Sequence, residues 1–276
     1  MEHNKYSVPD LLRTMERLRD PENGCPWDIA QSFKSIVPST LEECYELAEA
    51  IEREDYDHVA EELGDVLFQV IFYAQLGREH GLFSFDTVVN TLVGKLIRRH
   101  PHVFADGQLE GIVNARSSVA EVKQSWEAIK QTERDNKQQT GILADVPVAL
   151  PALPRAQKLQ KRVAQVNFDW PDATAVLDKL QEEVDELRCA LASARSNDIH
   201  EEMGDVLFTC VNLARHLGLD AEESLRQSST KFERRFSCME GIARKEGSTL
   251  GALDEEQLDQ LWRRAKERTA VQKGDL

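Results

Sequence analysis

The sequence predicts an all-α protein, built as a tandem repeat of two four-helix, bundle-like domains. Three observations carry that prediction. Apolar residues recur at helical spacing along nearly the whole chain, with no sustained period-2 alternation. The run Glu61-Glu62-Leu63-Gly64-Asp65-Val66-Leu67-Phe68 returns as Glu201-Glu202-Met203-Gly204-Asp205-Val206-Leu207-Phe208, with one conservative change in eight positions. A connector, 141–154, carries Pro147, Pro151 and Pro154 between the halves, so the domains are expected at 1–140 and 155–276.

In the first half, Ser39-Thr40-Leu41-Glu42 reads as a capping box for a helix carrying Leu41, Tyr45, Ala48 and Ile51. Asp57 is a candidate cap for a second helix through Leu63, Leu67, Val70, Ile71 and Ala74, stopping near Gly81. A third spans about Asp86 to His100, where Pro101 forbids continuation. Its Val89, Leu92, Val93, Leu96 and Ile97 form one apolar face. A charged segment from about Ser117 to Gln139, with Val119, Val122, Trp126 and Ile129, makes the fourth.

The second half repeats the order. Asp172 or Thr174 opens a helix through Val176, Leu180, Val184, Leu187 and Leu191, which Ser196-Asn197-Asp198 is expected to break. The next runs from Ile199 to Leu217 and stops at Gly218. Asp220 caps a long third helix with Leu225, Phe232, Phe236 and Ile242, and Asp254 to about Thr269 forms the fourth. Gly64 and Gly204 stand mid-helix at matching places, each costing about 1 kcal/mol relative to alanine. A close neighbour, helix or ligand, would explain both.

Composition narrows the function classes. No apolar run of the 276 residues approaches a bilayer span, and a net charge of -15 argues against a protein whose main business is duplex nucleic acid. Five cysteines without any CxxC fit reduced thiols, and the N-terminus has no secretory pattern, so a cytoplasmic location is expected.

Acidic pairs three apart dominate the chemistry: Glu43 and Glu46 with Glu62 and Asp65, then Glu183 and Glu186 with Glu202 and Asp205. Residues three apart on a helix share a face, so each set sends four carboxylates toward one space, where only a cation makes their repulsion tolerable. Hard oxygen ligands without histidine or thiolate select Mg²⁺, with Mn²⁺ as a substitute. A di-iron bundle would want Glu-x-x-His, and Asp65 and Asp205 stand where that histidine would be. A phosphate substrate also needs protein cations, and the third helices supply them in register: Lys95, Arg98 and Arg99, then Lys231, Arg234 and Arg235. His100 and His102 read as helix C-terminal residues rather than a metal pair.

Glu-x-x-Glu followed by Glu-x-x-Asp on an all-helical repeat with a basic third helix resembles the MazG nucleoside triphosphate pyrophosphohydrolases. The stretches Asp20-Pro21-Glu22-Asn23-Gly24-Cys25-Pro26-Trp27-Asp28 and Arg98-Arg99-His100-Pro101-His102-Val103-Phe104, with the tandem layout, are similar to the two-domain bacterial members. The resemblance implies Mg²⁺-dependent hydrolysis of a nucleoside triphosphate, ribo or deoxy, to the monophosphate and diphosphate, in a homodimer. It assigns metal ligation to Glu183, Glu186, Glu202 and Asp205, nucleotide contacts to Lys179, Lys231, Arg235 and Trp262, and supporting carboxylates to Glu182 and Glu201. In the expected mechanism a metal-activated water attacks the α-phosphorus, Glu182 or Glu201 handles its proton, and Lys231 and Arg235 hold the leaving charge.

The copies differ. The first retains Glu43, Glu46, Glu62 and Asp65 with Glu42, Glu61, Lys95 and Arg99, but Ser39 stands opposite Lys179. The second domain is therefore expected to carry most of the hydrolysis, and the first a weaker site. The alternative reading is a nucleotide- or metal-dependent regulatory or assembly module without turnover.

Overall fold

The computed structural model describes residues 5–111, 118–136, 141–193 and 195–271. All regular structure among them is helical, and the chain divides into two compact units, 1–132 and 133–276.

The first unit contains α1 (Val8–Leu18), α2 (Pro26–Ile29), α3 (Val37–Glu52), α4 (Tyr56–Glu79) and α5 (Phe85–Arg99), and α6 (Val119–Asn136) runs across the division. Two of these, α1 and α2, are additions to the four helices expected. A capping box starts α1, with Ser7 Oγ donating to Asp10 Oδ2 at 2.6 Å. The capping box expected at Ser39 does not form: α3 begins earlier, at Val37, because Pro38 fits the first turn, where no N–H is needed. Thr40 instead turns its hydroxyl back to the Ile36 carbonyl at 3.0 Å. Asp55, not Asp57, caps α4, accepting from the His58 N–H at 3.3 Å. Gly81, at φ +66°, supplies the left-handed residue just past its end.

Helices α3 and α4 form a hairpin, and α1 packs across α4. Met15, Ile36, Ile71, Phe72 and Leu76 make the core beneath them. Arg19 closes it: its guanidinium forks onto Glu79 (Nε–Oε1 2.9 Å, Nη2–Oε2 2.7 Å) and lies 5.2 Å from the Phe72 ring centre. Gly77 is required here, since a Cβ on it would meet the Phe83 ring at 2.5 Å. Gly77→Ala is expected to destabilise the first unit by about 1–3 kcal/mol, measured by urea unfolding. An unchanged midpoint would mean the ring moves aside freely.

The second unit contains α7 (Ala152–Ala164), α8 (Ala173–Ser193), α9 (Ser196–His216), α10 (Ala221–Lys245) and α11 (Glu255–Val271). Part of the proline-bearing connector is helix, with Pro154 in the first turn of α7. The rest is packed: Val146 is buried and Asp145 pairs with Arg162. Ser196-Asn197-Asp198, expected to break a helix, forms the first turn of α9. Asp220 caps α10 as expected, its carboxylate accepting from Glu223 N–H at 3.0 Å. Helices α8 and α9 repeat the α3/α4 hairpin, α10 and α11 form another over Met239, Ile242, Leu261 and Ala265, and α7 packs against α9 and α10.

The third helices leave apolar faces open. Leu92 and Leu96 on α5, and Leu225, Phe232 and Phe236 on α10, are all exposed within the chain. Gly64 and Gly204 also face open space, with nothing within 4 Å of a built Cβ. Packing among the described residues therefore does not explain either glycine.

Candidate metal centre and active site

The two hairpins perform the convergence that the acidic spacing predicts. On α8 and α9, carboxylate oxygens of Glu183, Glu186 and Glu202 lie within 4.8 Å of one another, and on α3 and α4 those of Glu43, Glu46 and Glu62 do the same. The fourth acid of each set stands within electrostatic reach. Burial, and then the charges of Glu186, Asp205, Glu183 and Glu201, push the Glu202 carboxyl above its ordinary range. Burial, then Asp65, Glu46, Glu62 and Glu42, act in the same direction on Glu43.

Such clusters fit a hard divalent cation. Every donor is a carboxylate oxygen, and Glu62 Oε2 is buried without a hydrogen-bond partner among the described residues. Each cluster also has one nitrogen-bearing side chain against its acids, and here the copies diverge. In the second unit Lys179 Nζ reaches Glu182 Oε1 at 2.7 Å and Glu183 Oε1 at 3.0 Å, which raises its pKa and keeps it charged. In the first, His58 Nε2 sits 2.7 Å from Glu62 Oε1.

Among the other expected residues, Glu182 and Glu201 flank the second cluster from exposed positions, as Glu42 and Glu61 flank the first. Lys231 is exposed and Arg235 half-buried on α10, with no ion pair among the described residues; Arg235 Nε is buried and unpartnered. Lys95 and Arg99 are half-buried on α5. Trp262 packs against Phe232, ring centres 5.4 Å apart, beside the α10–α11 core. His100 ends α5, its Nδ1 2.6 Å from the Leu96 carbonyl, and its ring lies edge-on to Trp126.

A cavity of about 550 Å³ opens beside the second cluster. Lys179, Glu183 and Asp205 line it together with Phe168, Trp170 and Phe208, and Gln160 and Asn212 add carboxamides. Lys231, Arg235 and Trp262 are not among its lining residues. Sequence reasoning missed this wall, because it assigns no helix between the connector, 141–154, and Asp172, where the structure has α7. The signal was present: Phe168-Asp169-Trp170-Pro171 places two aromatic residues immediately before the helix bearing the acids.

Comparison with known proteins bears directly on these hairpins. The model of the MazG nucleotide pyrophosphohydrolase domain matches twice, over residues 31–104 and 172–237, spanning α3 to α5 and α8 to most of α10. An Escherichia coli protein named nucleoside triphosphate pyrophosphohydrolase is 49% identical over 261 residues, covering 94% of this chain and 97% of its own. A Thermotoga maritima protein named nucleoside triphosphate pyrophosphohydrolase/pyrophosphatase MazG is 43% identical, covering 93% of this chain and 94% of its own. The Bacillus subtilis protein YabN is 43% identical over 92% of this chain and 50% of its own length. With two matched domains and relatives aligned nearly end to end, the chain belongs to the MazG family of nucleotide pyrophosphohydrolases.

Proposed function

We propose that this protein is a Mg²⁺-dependent nucleoside triphosphate pyrophosphohydrolase whose second unit performs most of the hydrolysis. The observation that carries the reading is the convergence of Glu183, Glu186 and Glu202 within 4.8 Å, beside a cavity large enough for a nucleotide that Glu183 and Asp205 line. Relatives bearing the activity in their names support it.

Glu183, Glu186, Glu202 and Asp205 would hold the cation. Bound there, Mg²⁺ supplies Lewis acidity, neutralising triphosphate charge and acidifying a water. The chain's own groups do the rest. Lys179, held charged by Glu182 and Glu183, exchanges those carboxylates for phosphate oxygens when substrate and cation arrive. That exchange frees Glu182, which, with Glu201, is a carboxylate able to orient the attacking water and take its proton. The α-phosphorus–oxygen bond to the leaving group breaks, and Lys231 and Arg235, four apart on α10, hold the departing diphosphate.

The open apolar faces of α5 and α10 support a homodimer, in which a second copy would cover Phe232 and Phe236. No helix among the described residues is long and apolar enough to cross a membrane, and all five cysteines are free, in keeping with the reducing cytoplasm. The charge of -15 disfavours duplex nucleic acid as a partner.

The test is release of diphosphate from a panel of ribo- and deoxyribonucleoside triphosphates with Mg²⁺, Mn²⁺ or chelator. Turnover with monophosphate as co-product, abolished by chelator, is expected. Tight nucleotide binding with no turnover on any triphosphate would instead identify a regulatory or assembly module.

A further inference from the structure

One contact sets the acids of the first unit apart from their copies in the second. His58, one turn before Glu62 on α4, brings its Nε2 to 2.7 Å from Glu62 Oε1. A carboxylate oxygen can only accept, so that ring nitrogen bears the hydrogen. The Glu62 side chain is only 8% exposed, and its other oxygen, Oε2, is buried with no hydrogen-bond partner among the described residues. One oxygen is therefore occupied and the other desolvated, while carboxylate oxygens of Glu43 and Glu46 lie within 4.8 Å of the Glu62 carboxylate. An unpartnered carboxylate oxygen buried among like charges is costly, and a divalent cation bonded to all three acids removes that cost. In the second unit Asp198 holds the place of His58 and pairs with Arg195 at 2.9 Å, so the histidine contact belongs to the first copy.

The surroundings of the two clusters differ as well. Ser39 stands in the place of Lys179 and brings no charge to the acids. Phe72 stands in the place of Asn212, a residue of the cavity wall in the second unit, and puts its ring into the core. That ring lies 5.8 Å from the Phe68 ring and 5.2 Å from the Arg19 guanidinium. Gln69, in the place of Thr209, is buried too. The wall that opens beside the second cluster is packed at these positions in the first. What persists is a set of acids on two helices, Glu43 and Glu46 from α3 and Glu62 from α4, that one ion can join across the hairpin.

We propose that the first unit holds a divalent cation of its own, Mg²⁺ or Mn²⁺, as a structural clip between α3 and α4, and that His58 is its positioning residue. His58 takes Glu62 Oε1 and leaves Oε2 for the metal. Ligating carboxylates are commonly fixed by such an outer partner, and losing one weakens metal binding by about 10–100-fold. The clip does not depend on the hydrolase reading, because it concerns cation binding in the unit that does not carry the turnover.

Calorimetric titration of Mn²⁺ into the full-length Glu186→Ala protein, whose second cluster is disabled, tests the proposal. One ion per chain is expected to remain bound, and to disappear when Glu46→Gln is added. His58→Ala in the Glu186→Ala background should weaken that ion about tenfold or more, and His58→Gln, whose amide can still donate to Oε1, should recover most of the loss. The His58 side chain is 42% exposed, so its replacement leaves the core intact. Mn²⁺ should also raise the melting temperature of Glu186→Ala, and by less once His58 is removed. As a single variant, His58→Ala should keep triphosphate hydrolysis within about twofold of the wild type. No ion bound to Glu186→Ala, or an ion that Glu46→Gln leaves in place, removes the site. Equal affinity with and without His58 removes the positioning role. Hydrolysis lost in His58→Ala to the same extent as in Glu186→Ala makes the ion catalytic and overturns the clip.

Discussion

Glu186→Ala is expected to lower triphosphate hydrolysis by at least about a hundredfold, the scale of losing several kcal/mol of metal-borne charge stabilisation, whereas Glu46→Ala retains most of it. The acids alone do not create this difference, since both clusters converge to within 4.8 Å. Their surroundings do. The second cluster opens onto a cavity lined by Lys179 and by aromatic and amide side chains, and Lys179 stays protonated beside Glu182 and Glu183. At the matching place in the first unit is Ser39, and Glu62 there pairs with a histidine that carries charge only when protonated. A second readout guards against loss of fold. Glu186 is the foremost charge raising the Glu202 pKa, so the folded protein without cation is disfavoured as pH rises through the carboxylate range. Removing Glu186 relieves that repulsion, so the variant should lose activity while its cation-free melting temperature at neutral pH rises. Loss of activity in Glu46→Ala alone would reverse the assignment of the working site.

What the sequence made legible was whatever repeats or follows a helical period. The Glu-x-x-Glu and Glu-x-x-Asp spacing located both clusters, because three residues on a helix map to one face regardless of tertiary context. The Asp220 cap and the stop near Gly81 were also readable, being local chemistry. Local competition hid other boundaries: Pro38 and Asp55 each took the role given to a neighbour, and Ser196 to Asp198 began a helix instead of ending one. The larger omission was α7. Three prolines suggested a linker, yet Pro154 sits where a first turn tolerates it, and the helix behind it brings Gln160 to the cavity wall. Nothing in the spacing of Gln160 distinguishes it from a surface glutamine. Its meaning depends on the Phe208 carbonyl, forty-eight residues away, fixing which end of the amide is free.

Lys231→Ala and Arg235→Ala are each expected to reduce kcat by about a hundredfold or more, the scale of removing one preorganised donor from a developing negative charge, with little change in melting temperature. The stability half follows from their surroundings: neither makes an ion pair among the described residues, so neither deletion strands a carboxylate. The catalytic half follows from charge. Diphosphate leaves with more negative charge than the bridging oxygen carried in the substrate, and two cations at i and i+4 reach over one helical face to meet it. Arg235 sharpens the case, because its Nε is buried and unpartnered, a cost that a phosphate oxygen would remove. Neither residue is among those lining the cavity, so their proposed role places the diphosphate outside it, towards α10. Arg235→Lys separates geometry from charge: retention of the cation without the fork should leave activity between wild type and Arg235→Ala. If Arg235→Ala instead melts early and regains full kcat at low temperature, the residue braces α10 and the diphosphate is held elsewhere.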